Sequence, residues 1–285
     1  MNEIPEIPIN PEVDVSVVMP CYCCTETVGR AIFSVLEQTA LPKELVLVDD
    51  ASGDSTLVQL QAWRDRYPDF IRVVALSRNQ GAGEARNAGW AISTGKYVAF
   101  LDADDSWHHE KLAIQYEFMQ NNPDVCLSGH AHAFNVVSDQ EVVENSSAQN
   151  IRWWQLLASN PFVTPSVMVR QDVDARFKKG RRYMEDHLLW MELVLTQRSV
   201  VRLDIPLAIL HKAQVGVSGL SSHMWAMTQA DLGNYWQLYR EGLLGFFPLL
   251  LFWFWASLKF FRRIIRVGIP NALHRWRRNQ RVVKP

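Results

Sequence analysis

The first two-thirds of the chain alternates short apolar runs with stretches of helical periodicity. Val15–Met19 reads as a strand and Val28–Gln38 as an amphipathic helix. Leu45–Val48 reads as a second strand, followed by a helix from about Thr56 to Tyr67. Ile71–Ala75 is a third strand, Gly83–Ser93 a helix and Tyr97–Leu101 a fourth strand. Short β-rich runs separated by helical segments imply βαβ units on a parallel sheet. Beyond about Val125 the pattern is less regular. Strands are expected at 125–128, 131–137, 166–169 and 199–204, with a helix at about 186–196.

In such sheets ligands bind outside the carboxyl ends of the strands, which singles out the loops after Met19, Val48, Ala75 and Leu101. Three of these are polar: Pro20-Cys21-Tyr22-Cys23-Cys24, Asp49-Asp50-Ala51-Ser52-Gly53-Asp54-Ser55 and Asp102-Ala103-Asp104-Asp105. Carboxylates packed together repel one another, so three at one strand end suggest a cation. An oxygen-rich site suits Mg²⁺ or Mn²⁺, bound through one or two carboxylates plus substrate phosphates. The competing reading is helix capping, by Asp105 or Ser106 for a helix entering at Trp107 and by Ser52 or Asp54 after the second strand. Capping accounts for one acid per loop and leaves the second unexplained.

Composition sharpens this picture at the two ends. The chain has 285 residues, 48% of them hydrophobic, enough for one large or two small domains with a substantial core. The net charge of −1 hides an asymmetry. Residues 259–285 hold nine Lys and Arg and no acid, leaving 20 basic against 30 acidic groups before them. That distribution argues against a uniformly basic nucleic-acid binder. Met1 to Pro11 lacks a charged segment followed by an apolar one, so no signal peptide is expected and the body is expected to remain in the cytoplasm. Cys21, Cys23, Cys24 and Cys126 suggest no disulfide framework, and the first three read as reduced loop thiols. His108, His109, His130 and His132 read as loop or strand histidines.

Residues 242–258 form an uncharged run, GLLGFFPLLLFWFWASL. A helix of that length reaches about 25 Å, short of a hydrocarbon core of about 30 Å, and Pro248 is expected to kink it. A single crossing would also put the basic tail outside, against the positive-inside rule. The expectation is therefore a re-entrant or interfacial segment, followed by a basic amphipathic stretch lying on anionic lipid. A buried helix or an oligomer contact is the alternative.

The motifs VSVVMPCY, AIFSVLEQT, ELVLVDDASGDST, NQGAGEARNAGWAISTGKYVAFLDADDSWHHEKL and EDHLLW occur in the order seen in family 2 glycosyltransferases, and over residues 13–215 the chain resembles that family. The resemblance implies an α/β, Rossmann-like GT-A domain at 13–215, with a mostly parallel central sheet flanked by helices. Residues 1–12 are then an N-terminal extension, 216–241 a helical connector, and 242–285 the membrane-associating segment. It implies a nucleotide-diphosphate sugar donor, with Asp50 bonding the base, Pro20 and Tyr22 lining the same pocket, and Arg86 and Asp102 near the nucleotide. Asp104, with Asp102 and His211, would hold Mg²⁺ or Mn²⁺. Asp186 matches the general base; Asn160 and Thr164 fall on the acceptor side, Glu185 contacts the acceptor or fixes the loop, and Trp190 reads as core or as an acceptor platform.

The implied reaction is an inverting transfer to a hydroxyl of a glycan or lipid-linked acceptor in cell-surface polysaccharide synthesis. The implied place is the cytoplasmic face of the inner membrane, reached through residues 242–285, with no nucleic-acid partner. Two alternatives stay open: transfer to a polyprenyl phosphate, and a non-catalytic membrane scaffold on the same fold. The chain departs from the family where Cys21 and Cys23 replace Thr and Asn in the loop after strand one. No Gln-x-x-Arg-Trp motif is present, against a processive polymerase.

Overall fold

The computed structural model describes residues 10–135, 137–139, 147–196, 199–211 and 220–262. The extreme N-terminus and the basic tail beyond residue 262 lie outside the described residues. The chain divides into two compact units, Met1–Gln214 and Val215–Pro285.

The first unit is built on one nine-stranded sheet. Its N-terminal half follows the expected alternation: β1 (Glu12–Cys21), α1 (Val28–Leu36), β2 (Leu41–Asp49), α2 (Thr56–Arg66), β3 (Ile71–Ala75), α3 (Ala82–Ile92) and β4 (Tyr97–Phe100). The strands lie in the order β3-β2-β1-β4, all parallel, with Val17 beside Leu45 and Ala99 in register. Val15, Val17, Val18, Leu45, Val46 and Leu47 are fully buried, as strands covered by helices on both faces must be.

Gly89 lets α3 lie directly on this sheet. A Cβ there would meet Val18 Cγ1 at 2.5 Å and Val48 Cγ2 at 3.1 Å. The GAGEARNAG run is thus partly a packing requirement.

The second half runs β5 (Ser106–Trp107), α4 (Lys111–Asn121), β6 (Val125–Ala133), β7 (Ala148–Asn150), α5 (Trp153–Ala158), β8 (Met168–Arg170), α6 (Glu185–Leu195) and β9 (Ser199–Ile209). It corrects three expectations. The sheet is mixed rather than mostly parallel, because β8 runs antiparallel to both β4 and β6, and β5 and β7 pair antiparallel with β9. The expected strands at 125–128 and 131–137 are one strand, β6, irregular in register against β9 around Ala131. Ser106 and Trp107 form a strand, not the start of a helix; α4 begins four residues later. Here strand pairing overrides the capping signal of the acids before it.

The second unit contains α7 (Leu220–Arg240), a turn at Gly242 with φ of 75°, and a helix, α8, over residues 246–262. Pro248 sits in the first turn of α8, where its missing N–H has no helical partner to lose, so the expected interruption is absent. Tyr235 stacks on Phe252 at 5.7 Å and Trp236 meets Trp253 at 6.1 Å with the rings tilted by 36°, pairing the two helices. Among the described residues no helix is long and apolar enough to cross a membrane.

Candidate active site

The carboxyl ends of β1, β2 and β4 open on a cleft of about 700 Å³. Its walls bring together Pro20, Tyr22, Asp50, Arg86, Asp102, Asp104 and Glu185, all selected from sequence. They come from five different segments, so the sheet is what assembles them.

The loop after β2 is fixed before any ligand arrives. The Asp50 amide donates to the Cys21 carbonyl at 2.8 Å, which ties the first two loops together. Its carboxylate accepts from the backbone N–H groups of Gln80 and Gly81, each at 2.8 Å. A carboxylate offers about four acceptor positions, so two remain for a ligand N–H. Gly81 has φ of 93°, a conformation that an L side chain resists, and it places these amides at the entrance to α3. Tyr22 stands 55% exposed on the rim, with its ring available to a planar group.

Arg86 is the centre of the charge arrangement. Its Nη2 donates to Asp102 Oδ1 at 2.7 Å, and Nη1 lies 3.5 Å from Glu185 Oε1. The guanidinium also lies over the Phe177 ring, 5.4 Å from its centre. Burial pulls the Arg86 pKa down, but Asp102, Glu185 and Asp186 outweigh it and hold the group above its ordinary value. Burial pushes the Glu185 carboxyl up, only partly offset by Arg86. Arg86 therefore joins the loop after β4 to the start of α6 with a permanent charge.

Asp186 follows Glu185 in the first turn of α6 but is outside the cleft wall. Its Oδ2 accepts from Asn160 Nδ2 at 3.3 Å and its Oδ1 from the His187 amide at 2.7 Å. Met184 precedes the helix with φ of 56°, so the chain turns sharply as it delivers both acids. Trp190 has no ring face for an acceptor. It is fully buried among Phe100 and Phe177, a core position that follows from α6 packing on the sheet. Thr164 is buried in the turn Thr164–Ser166, away from the cleft wall.

His211 reaches the acidic loop indirectly. Its Nε2 hydrogen-bonds Ser106 Oγ at 2.8 Å and its amide donates to Asp105 Oδ1 at 3.2 Å. Burial and Arg30 lower its pKa, with Asp104 opposing, which favours a neutral imidazole. Arg30 donates to the Asp104 carbonyl at 2.6 Å. Asp102, Asp104 and His211 do not form a closed cage. Mg²⁺ and Mn²⁺ bound with a diphosphate need only one or two protein carboxylates, and this oxygen-rich set fits that chemistry.

Asn79, Arg182 and Tyr183 also line the cleft and were not singled out from sequence. Arg182 extends toward Asn79 Oδ1 at 3.5 Å. Both Arg182 and Tyr183 lie in an irregular stretch whose path no periodicity reveals. Their signal was only proximity to Glu185.

A mixed α/β sheet with an acidic cleft at the carboxyl ends of its parallel strands defines the class. The profile described as glycosyl transferase family 2 matches residues 16–182, more than half of the chain. The chain belongs to that family.

Among its relatives, a Bacillus subtilis protein named for teichuronic acid biosynthesis, TuaG, is 42% identical over 105 residues, 37% of this chain and 41% of that one. The Escherichia coli protein WfgD, named a UDP-Glc:alpha-D-GlcNAc-diphosphoundecaprenol beta-1,3-glucosyltransferase, is 29% identical over 181 residues. That match covers 63% of this chain and 69% of WfgD, whereas TuaG is matched over less than half its length. Two solved structures share the GT-A fold. An S. aureus TarS fragment in complex with UDP-GlcNAc has a TM-score of 0.59 at 21% identity, covering 78% of this chain and 66% of that one. The mannosyltransferase PcManGT from Pyrobaculum calidifontis, in complex with GDP-Man and Mn²⁺, has a TM-score of 0.58 at 17% identity, covering 100% of this chain and 84% of that one.

Proposed function

We propose that the chain is an inverting, metal-dependent glycosyltransferase that moves one sugar from a nucleotide-diphosphate donor to a hydroxyl of a glycan or lipid-linked acceptor in cell-surface polysaccharide synthesis. The observation that carries this reading is the double contact of Arg86, which fixes the Asp-x-Asp loop and the Glu-Asp helix start on one cleft. Donor-side and acceptor-side carboxylates are thereby held in a set relation, as an in-line displacement requires.

Asp50 accepts a hydrogen bond from the base, a charge-assisted contact that its two backbone donors orient. Pro20 and Tyr22 flank the base at the rim. Asp186 takes the proton of the acceptor hydroxyl as its oxygen bonds to C1 of the sugar and the bond from C1 to the diphosphate oxygen breaks. One direct displacement inverts the anomeric centre. Asn160 positions the Asp186 carboxylate for this step. Asp104, with Asp102 and His211 beside it, would hold a divalent cation, Mg²⁺ or Mn²⁺, which would supply positive charge at the departing diphosphate.

Residues 242–285 would hold the enzyme at the cytoplasmic face of the inner membrane. On α8 the exposed Phe247, Leu250 or Leu251, Phe254, Leu258 and Phe261 recur at three- and four-residue intervals, forming an exposed apolar stripe. Such a stripe beside basic residues suits an interfacial helix on anionic lipid.

The reaction is tested by offering nucleotide sugars with Mn²⁺ and membrane extract, and following nucleoside diphosphate release. Release by the wild type and its loss in a folded Asp104→Ala protein is the expected result. No release from any donor, or undiminished release by Asp104→Ala, contradicts the assignment.

A further inference from the structure

We propose that His108, His109 and Asp139 form a second cation site, outside the cleft, that takes a borderline transition-metal ion such as Zn²⁺. The two histidines follow β5 and precede α4, while Asp139 comes from the described stretch 137–139 after β6. His108 Nε2 lies 3.1 Å and His109 Nε2 3.5 Å from the same Asp139 oxygen, Oδ1. With Glu110 they form the only group among the described residues whose potential ligand atoms all lie within 4.8 Å of one another.

The 3.5 Å separation is that of an edge of a coordination sphere, and the 3.1 Å separation is slightly shorter. Tetrahedral zinc with bonds to nitrogen and oxygen of about 2.0–2.2 Å has ligand–ligand edges of about 3.3–3.6 Å. A hydrogen bond would explain one imidazole at Asp139; the second converges on the same oxygen from farther away. The two rings lie only 4.3 Å apart, tilted by 33°. Two imidazoles and one carboxylate, with Glu110 or water in the fourth position, match zinc better than Mg²⁺.

Without the ion, His108 Nδ1 accepts from the Glu110 amide at 3.3 Å, so the proton sits on Nε2 facing Asp139. Coordination at Nε2 moves that proton to Nδ1 and gives up the long Glu110 contact. In exchange the ion ties the chain after β6 to the corner between β5 and α4. That corner is anchored elsewhere: Gln38 Nε2 donates to the His108 carbonyl at 2.8 Å, and the Thr39 amide donates to that of His109 at 2.9 Å. Ser106, which holds His211, is two residues away.

The test uses the full chain, stripped with chelator and given Zn²⁺ with Mg²⁺ in excess. Wild type and Asp104→Ala should each retain about one zinc per chain through gel filtration, with imidazole and oxygen donors in the X-ray absorption spectrum. Asp139 is 72% exposed and His109 43%, so removing them spares the core. A folded His109→Ala/Asp139→Ala protein should bind zinc at least about a hundredfold more weakly. The proposal is overturned by no zinc in the wild type, by unchanged affinity in the double variant, or by sulfur donors, which would put the ion on Cys21, Cys23 or Cys24.

Discussion

Arg86 Nη2 sits 2.7 Å from Asp102 Oδ1 while the guanidinium is buried over Phe177. On the proposed function, the pair would couple stability to donor binding. Arg86→Met would leave the Asp102 and Glu185 carboxylates in a partly desolvated wall without their cation. Breaking such a pair costs about 3 kcal/mol, the low end for buried pairs, because Asp102 keeps some access to water. Arg86→Lys keeps the charge but cannot hold both acids, and should fall between. Urea denaturation reads both losses; a stability unchanged in Arg86→Met contradicts the pairing.

Glu185 and Asp186 are adjacent but have different surroundings. Asp186 is oriented by Asn160, whereas Glu185 is paired with Arg86 in the cleft wall. Asp186→Asn should lower kcat by about 10²–10⁴ while leaving donor affinity intact, the signature of a lost general base. Glu185→Gln frees one side of Arg86 and should act mainly on donor KM. If Glu185→Gln gives the larger loss in kcat, the two roles are exchanged. Transfer to a phosphate acceptor needs no strong base, so an Asp186→Asn protein that keeps its rate would favour that chemistry.

Glu44 offers a pH test far from the cleft. Burial pushes its carboxyl up, but Arg72, Ser16 and Thr94 outweigh burial and hold it below the ordinary value of 4.5. Arg72 Nη1 is 2.9 Å away and the Thr94 amide 2.6 Å. A depressed acid stabilises the fold above its unfolded pKa, and that contribution is lost as pH falls below 4.5 through the folded value. Denaturation midpoints measured between pH 7 and about pH 3 should therefore fall more for wild type than for Glu44→Gln. Parallel curves would show that Glu44 carries none of this linkage.

Much of the parallel half was legible in sequence because each β-run was closed by a helix of its own period. Ile71–Ala75 is the predicted strand to the residue, and α1, α2 and α3 start within a residue of expectation. The cleft was legible for the same reason, since three parallel strand ends define it. The second half was not. Ser106–Trp107 is too short to show alternation, and β7 is exposed and polar, so neither gives a hydrophobic signal. Trp190 was ambiguous because a helix-borne tryptophan reads alike whether it faces core or ligand. The His108–Asp139 contact joins residues thirty-one positions apart, with no repeat to suggest it.

Gly89→Ala tests how tightly α3 sits on the sheet. The added Cβ would lie 2.5 Å from Val18 Cγ1, and Val18 is itself fully buried. Helix propensity favours alanine by about 1 kcal/mol, so a pure helix effect would stabilise. Overpacking costs about 1–3 kcal/mol and should outweigh it. Because α3 carries Arg86, donor affinity should fall together with the melting temperature. A more stable protein would mean that the α3–β1 contact is looser than the 2.5 Å approach requires.

The apolar stripe on α8 is the last element with a separable test. Phe247 is 82% exposed, while Leu249, Phe252 and Ala256 on the other face are buried. The exposed face is therefore surplus to folding, and charging it should leave the helix pair intact. Leu250→Glu/Leu251→Glu/Phe254→Glu removes apolar surface and adds three charges that anionic lipid repels. Wild type should sediment with vesicles containing anionic phospholipid, while the triple variant and a protein lacking residues 242–285 should stay in solution. Raising salt should weaken wild-type binding only in part, since apolar burial is not screened. A triple variant that still sediments but changes its oligomeric state would make this stripe a contact between copies rather than a lipid anchor.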